Sequence, residues 1–189
     1  MPSIRRHAVI TALAVLSGSA CSSRGEPLIE PHLAAQCREA AAAAPATHAG
    51  RADSLFRLVP EATLNAEQAS LVASARHEEW TARVVVGRIA PGADSLLQPG
   101  RAVTLVVSPT LSFVAVGTQA DHRASGEIFW TGALQGQQGG SAILLTSLGV
   151  TGDVRSMPAA GPYSIYTFRP IGGGLHAISC IDPTLVPIG

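Results

Sequence analysis

"AVTLVVSPTLSFVAVG" (102–117) settles the fold class. Pro109 and Thr110 divide it into two short runs, "AVTLVVS" (102–108) and "LSFVAVG" (111–117), both rich in β-branched and apolar side chains. Runs of this length and composition around a turn are two β-strands. In the first, Val103, Leu105 and Val107 alternate with Ala102, Thr104 and Val106, so both faces are largely apolar. A strand of that kind needs cover on both sides.

The same texture extends in both directions. "RVVVGRI" (83–89), "EIFWTG" (127–132), "SAILLTS" (141–147), "YSIYTFR" (163–169) and "LHAISCI" (175–181) are separated by Gly, Pro, Asp or Ser. Together they predict an antiparallel β-sandwich or barrel of about seven strands over residues 81–189. "GQQGG" (136–140) and "GGG" (172–174) do not lie between a strand and a helix, so they read as hairpin connections and not as nucleotide-binding loops. Residues 21–80 differ, being alanine-rich and helical in pattern, with a tether over the first twenty or so. "LAAQCREAAAA" (33–43) has strong helix formers. "NAEQASLVASARHEEW" (65–80) opens with Asn65 and Gln68 spaced as a capping box. N-terminal helices packed over one face of the strands make the class mainly β, α+β in detail.

Residues 1–20 follow the grammar of a secretory signal: Arg5 and Arg6 without an acid, an uncharged run of nine residues from Ala8 to Leu16 that is apolar but for Thr11, then small residues. The apolar run is shorter than the roughly 20 residues a membrane span requires. Gly18-Ser19-Ala20-Cys21 resembles the lipobox of bacterial lipoproteins, with glycine where that family usually has leucine. The resemblance implies acylation at Cys21, an anchor in the bacterial cell envelope, and, from Ser22, sorting to the outer membrane, facing the periplasm or the cell surface. An ordinary signal peptide with Cys21 left as a thiol is the alternative reading. With Cys21 lipidated, Cys37 and Cys180 remain, and in an oxidising compartment they can pair. Such a bridge closes more than a hundred residues and is worth about 4 to 5 kcal/mol in the chain-entropy model. Two buried thiols are the other possibility.

The formal charge is zero and no basic run marks a nucleic-acid partner. All 13 basic residues are arginine. The absence of lysine excludes a P-loop lysine, a Schiff base to a pyridoxal cofactor and a lysine general base.

From Trp130 onward the cadence is aromatic-x-Gly-x-x-x-Gly, a Ser-x-x-x-Leu strand, a Gly-x-x-Gly turn, Tyr-x-Ile, then Pro and His. Its positions here are Trp130, Gly132, Gly136, Ser141, Leu145, Gly149, Gly152, Tyr163, Ile165, Pro170 and His176. The stretch from Trp130 to Pro187 resembles the closing half of the propeptide domain of reprolysin (adamalysin-type) zinc metalloproteases, and the strands from about Arg101 to Gly117 fit the same domain less specifically. The resemblance implies a fold and a partner, a separately encoded metalloprotease that the domain binds, folds or restrains. The catalytic His-Glu-x-x-His signature is not completed, because "RHEEWTARV" places Thr81 where the second ligand belongs.

Other chemistry is weaker. His176 and Cys180 share a strand face but lie about 13 Å apart, too far for one metal ion. Asp121, His122 and Ser125 have the residue types of a nucleophilic triad, in a polar loop without a nucleophile elbow. Glu78 and Glu79 are adjacent and diverge, which argues against a carboxylate pair. Trp130 with Phe129, and Tyr163 with Tyr166, are groove candidates of which alternation sends at least one each to the core. The sequence therefore reads as a lipid-anchored, non-enzymatic interaction module with no cofactor, metal or catalytic residues assigned. A scaffolding lipoprotein and a hydrolase using the Asp121, His122 and Ser125 loop are the alternatives.

Overall fold

The computed structural model describes residues 53–159, 163–182 and 184–185. Cys21, Cys37, the signal region 1–20 and the helix expected at 33–43 lie outside the described residues. In chain order the elements are β1 (Asp53–Ser54), β2 (Phe56–Leu58), α1 (Ala66–Arg76), β3 (Thr81–Ile89), α2 (Ala93–Leu96), β4 (Ala102–Ser108), β5 (Leu111–His122), β6 (Ile128–Leu134), β7 (Ser141–Thr146), β8 (Val150–Ser156), β9 (Ser164–Gly172) and β10 (Leu175–Ile181).

All ten strands form one sheet in the order β1-β4-β5-β6-β7-β8-β9-β10-β3-β2. From β4 to β10 every neighbour is antiparallel and joined by a short connection. The two ends of this sheet are consecutive in the chain. β1 pairs with β4 in parallel at Asp53↔Val103, and β2 pairs with β3 in antiparallel at Phe56↔Ile89. Between them the Leu55 N–H donates to the Thr104 carbonyl at 2.9 Å, while the Leu55 carbonyl accepts the Ala90 N–H at 2.9 Å. One short stretch thus touches both edges and curls the sheet into a nearly closed barrel, removing most of the unpaired edge that an open sheet exposes.

The barrel is filled. Inward positions repeat every second residue, as a pleated strand demands: Val103, Leu105 and Val107 on β4, Phe113 and Ala115 on β5, Trp130 on β6, Leu144 on β7 and Phe168 on β9, all buried. Leu96 and Leu97, from α2 and the residue after it, join this cluster. A second, smaller cluster lies outside the wall, where Val72 and Ala75 of α1 meet Val84, Val86, Ile171, Leu175 and Ala177. α1 covers the outward Leu175 and Ala177, and β10 is buried along its whole length.

Mainly β is therefore right at the level of class, and several finer expectations are corrected. There are ten strands and not about seven, and of the two expected architectures the single curled sheet is the barrel and not the sandwich. The strands do not simply follow N-terminal helices: β1 and β2 precede α1, inside the stretch read as tether and helix. The helix expected at 65–80 ends at Arg76, capped at its start by the anticipated box, in which Asn65 Oδ1 accepts from the Gln68 N–H and Gln68 Oε1 accepts from the Asn65 N–H. β8 was missed altogether because Gly149 and Gly152 read as a turn. Gly152 is instead mid-strand, where an added Cβ would sit 2.0 Å from the Ile143 carbonyl oxygen. A close backbone approach requires glycine there. The three glycines 172–174, with φ of 86°, 61° and 72°, do close the β9–β10 hairpin as expected.

Candidate functional site

The residues of the Trp130–His176 cadence are brought together as packing. Trp130 is fully buried, and two glycines admit its ring. A Cβ at Gly132 would lie 2.4 Å from the indole Cη2, and one at Gly117 would lie 2.7 Å from Nε1. Gly149, Pro170 and His176 form a second cluster: a Cβ at Gly149 would fall 2.9 Å from the Pro170 ring and 3.0 Å from His176 Nε2. Gly136 sits in the β6–β7 connection, Ser141 starts β7 and Tyr163 just precedes β9.

Among the described residues His176 is the one buried histidine. It has no exposed surface, its Nε2 accepts the Val150 N–H at 2.8 Å, and its ring meets Phe56 edge-on at 5.1 Å between centroids. Phe56 in turn stacks on Phe168 at 4.9 Å. Burial among these rings lowers the His176 pKa to about 4, with the Gly174 backbone offsetting part of that shift. Nδ1 has no well-formed hydrogen bond. The bond from Val150 requires Nε2 to be unprotonated, so His176 is a neutral structural acceptor and does not present a free nitrogen pair to solvent.

Cys180 also faces inward and belongs to the main apolar cluster. It is not a free thiol; Cys37, the pairing partner expected from the cysteine count, lies outside the described residues. Tyr166 packs against Phe113 at 5.5 Å, and burial pushes its phenol up, partly countered by the Ser164 side chain and the Arg83 charge. Of the aromatic pairs considered for a groove, Trp130 and Tyr166 are core, while Phe129 and Tyr163 are only half-buried.

The triad types do not assemble. Asp121 and His122 are successive residues at the end of β5, which send their side chains to opposite faces. Ser125 Oγ donates to Glu127 Oε2 at 3.0 Å within the exposed β5–β6 hairpin. Among the described residues no three His, Cys, Asp or Glu side chains cluster as a metal site.

What sequence reading missed lies on the outer wall. A groove of about 500 Å³ runs over β8 and β9, between Trp80 and Arg155. Trp80 comes from the turn before β3, and its backbone is held there by the Asp182 N–H, which donates to the Trp80 carbonyl at 2.8 Å. Trp80 keeps about a third of its surface exposed, at 36%. Two ion pairs line the floor: Arg169 with Glu78 at 2.6 Å and Arg155 with Asp153 at 2.8 Å. The Asp153 hydrogen bond, then its charge, raises the Arg155 pKa. Ile165, Thr167 and Ile181 supply the surface between them.

The register explains the arrangement. Asp153↔Thr167 and Arg155↔Ile165 are cross-strand partners, so outward positions of β8 and β9 meet side by side. Glu78 reaches Arg169 across 91 residues of sequence, a proximity that no local pattern contains. The alternation Asp153-Val154-Arg155 was the one available signal, and it was masked by reading the preceding glycines as a turn.

Further round, β5 to β7 present a second outward surface. Val114, Val116, Phe129, Ile143 and Leu145 all point away from the interior and are half-buried. Phe129↔Leu145 are direct cross-strand neighbours. α1 packs on the other side of the barrel, against β3, β10 and β9.

No family model, no curated protein and no solved structure matches the chain.

Proposed function

We propose that the protein is a lipid-anchored, non-enzymatic interaction module of the bacterial envelope, tethered through Cys21 and braced by a Cys37–Cys180 bridge. Its partner is a separately encoded zinc metalloprotease, which it binds in the manner of a detached propeptide. The observation that carries the binding reading is the contrast between a packed interior and the apolar outer surface of β5–β7, where Phe129 and Leu145 stand side by side. A barrel whose inside is occupied by its own side chains meets its partners with its outer wall, and adjoining outward apolar residues are a common mark of such contacts. The metalloprotease itself rests on the Trp130–His176 resemblance.

The test mixes the purified full chain with the metalloprotease encoded nearest to its gene. A complex, weakened at least about tenfold by Phe129→Arg with Leu145→Arg, is the expected result. Absence of a complex and unchanged protease activity remove the partner. Intact-mass analysis of the same preparation, with and without reduction, reports the anchor: acyl mass on Cys21 and a two-proton shift on reduction are expected, and three alkylatable thiols on an unprocessed chain refute both.

A further inference from the structure

The groove over β8 and β9 is separate from the β5–β7 surface and has its own chemistry. Its charges cancel in pairs: Arg169 is held by Glu78 and Arg155 by Asp153. A phosphate, a nucleic acid or an acidic peptide would find little net positive charge here, because each guanidinium already has a carboxylate beside it that repels a second anion. A paired guanidinium still has spare N–H donors, and a paired carboxylate still has spare acceptor lone pairs. Those remaining groups suit neutral hydroxyls, which both donate and accept. Beside them stands Trp80, an indole with an apolar face and partial exposure. Ile165 and Ile181 continue the apolar strip along the groove, and its volume of about 500 Å³ is that of a small-ligand site.

A ligand that complements this surface carries apolar ring faces and a rim of uncharged hydroxyls. We infer that the groove between Trp80 and the Arg155–Asp153 pair is a binding site for a neutral saccharide, whose ring packs on Trp80 while its hydroxyls bridge the two ion pairs. No covalent step is involved. The site is independent of the docking surface proposed above, and either can fail without the other.

The chain has two tryptophans, and Trp130 is fully buried, so solvent quenching of indole fluorescence reports chiefly on Trp80. The experiment titrates the full chain, in a detergent without a sugar headgroup, with the β-1,4-linked hexamer of N-acetylglucosamine and with maltohexaose. Expected are protection of Trp80 from acrylamide and saturable heat in calorimetry with at least one of them, little changed by added salt because no counterion is displaced. Trp80→Ala should weaken binding about tenfold or more, and Trp80→Phe should restore part of it, with both variants checked for an unchanged melting temperature. Arg155→Gln, distant from the apolar core, should weaken it without altering stability. The inference is overturned if neither hexamer binds, if Trp80→Ala binds as well as the parent, or if only inorganic polyphosphate binds and does so in a salt-sensitive manner.

Discussion

Phe168 and Arg169 are neighbours in the chain and occupy opposite solvents. Phe168 is buried against Phe56 inside the barrel, whereas Arg169 lies on the outer wall with more than half its side chain exposed, reaching Glu78. One residue of strand separates a region held by close packing from a region held by screened charge pairs. Energy is concentrated on the inside, since a buried ring has no replacement for the contacts it loses. The outside is energetically shallow, which leaves its side chains available for a ligand.

The sharpest way to break this contrast is inside. Trp130→Ala leaves a void between Gly117 and Gly132, where the ring is now clasped, and should cost about 4 kcal/mol, read from the urea midpoint. A loss below about 1 kcal/mol would mean that the interior is not packed as described.

His176 gives the next effect, and it depends on pH. Its folded pKa of about 4 lies below the ordinary histidine value of 6.5, so the unfolded chain takes up a proton first as pH falls. The contribution to stability is complete above pH 6.5 and disappears as the pH drops through 4. It amounts to about 3 kcal/mol. Urea melts between pH 7 and pH 4 should show this loss in the parent, and His176→Gln, which keeps an acceptor for the Val150 N–H but does not titrate, should flatten it. An equally steep acid limb in the variant would assign the loss to other groups.

Arg169→Ala defines the shallow end of the comparison. The pair it breaks is a surface one, so the change in stability should stay within about 0.5 kcal/mol. A large loss would show that the groove is structural and would sharpen the boundary between the two regions in the other direction.

How much was legible in advance can be argued from particular elements. The strands at 102–108 and 175–181 were readable to the residue, because each carries β-branched or apolar side chains between unmistakable turns. The capping box at Asn65 was readable because it is a local hydrogen-bond pattern. β8 was not, since its glycines serve a close approach to Ile143 from another strand. β1 and β2 were not, since two and three residues have no period of their own and exist as strands only by pairing with β4 and β3. The groove was invisible for the same reason: Trp80, Glu78, Arg155 and Arg169 are assembled by register, not by spacing.

The amino-acid order alone determined that this chain is mainly β, where the hairpins not involving β8 turn, and that lysine chemistry is absent, because propensity, alternation and composition act over a few residues at a time. Barrel curvature, burial of a neutral histidine and the meeting of Glu78 with Arg169 were decided only by tertiary structure. Those features depend on which strands become neighbours, and the free energy selecting those neighbours is shared across the whole packed interior.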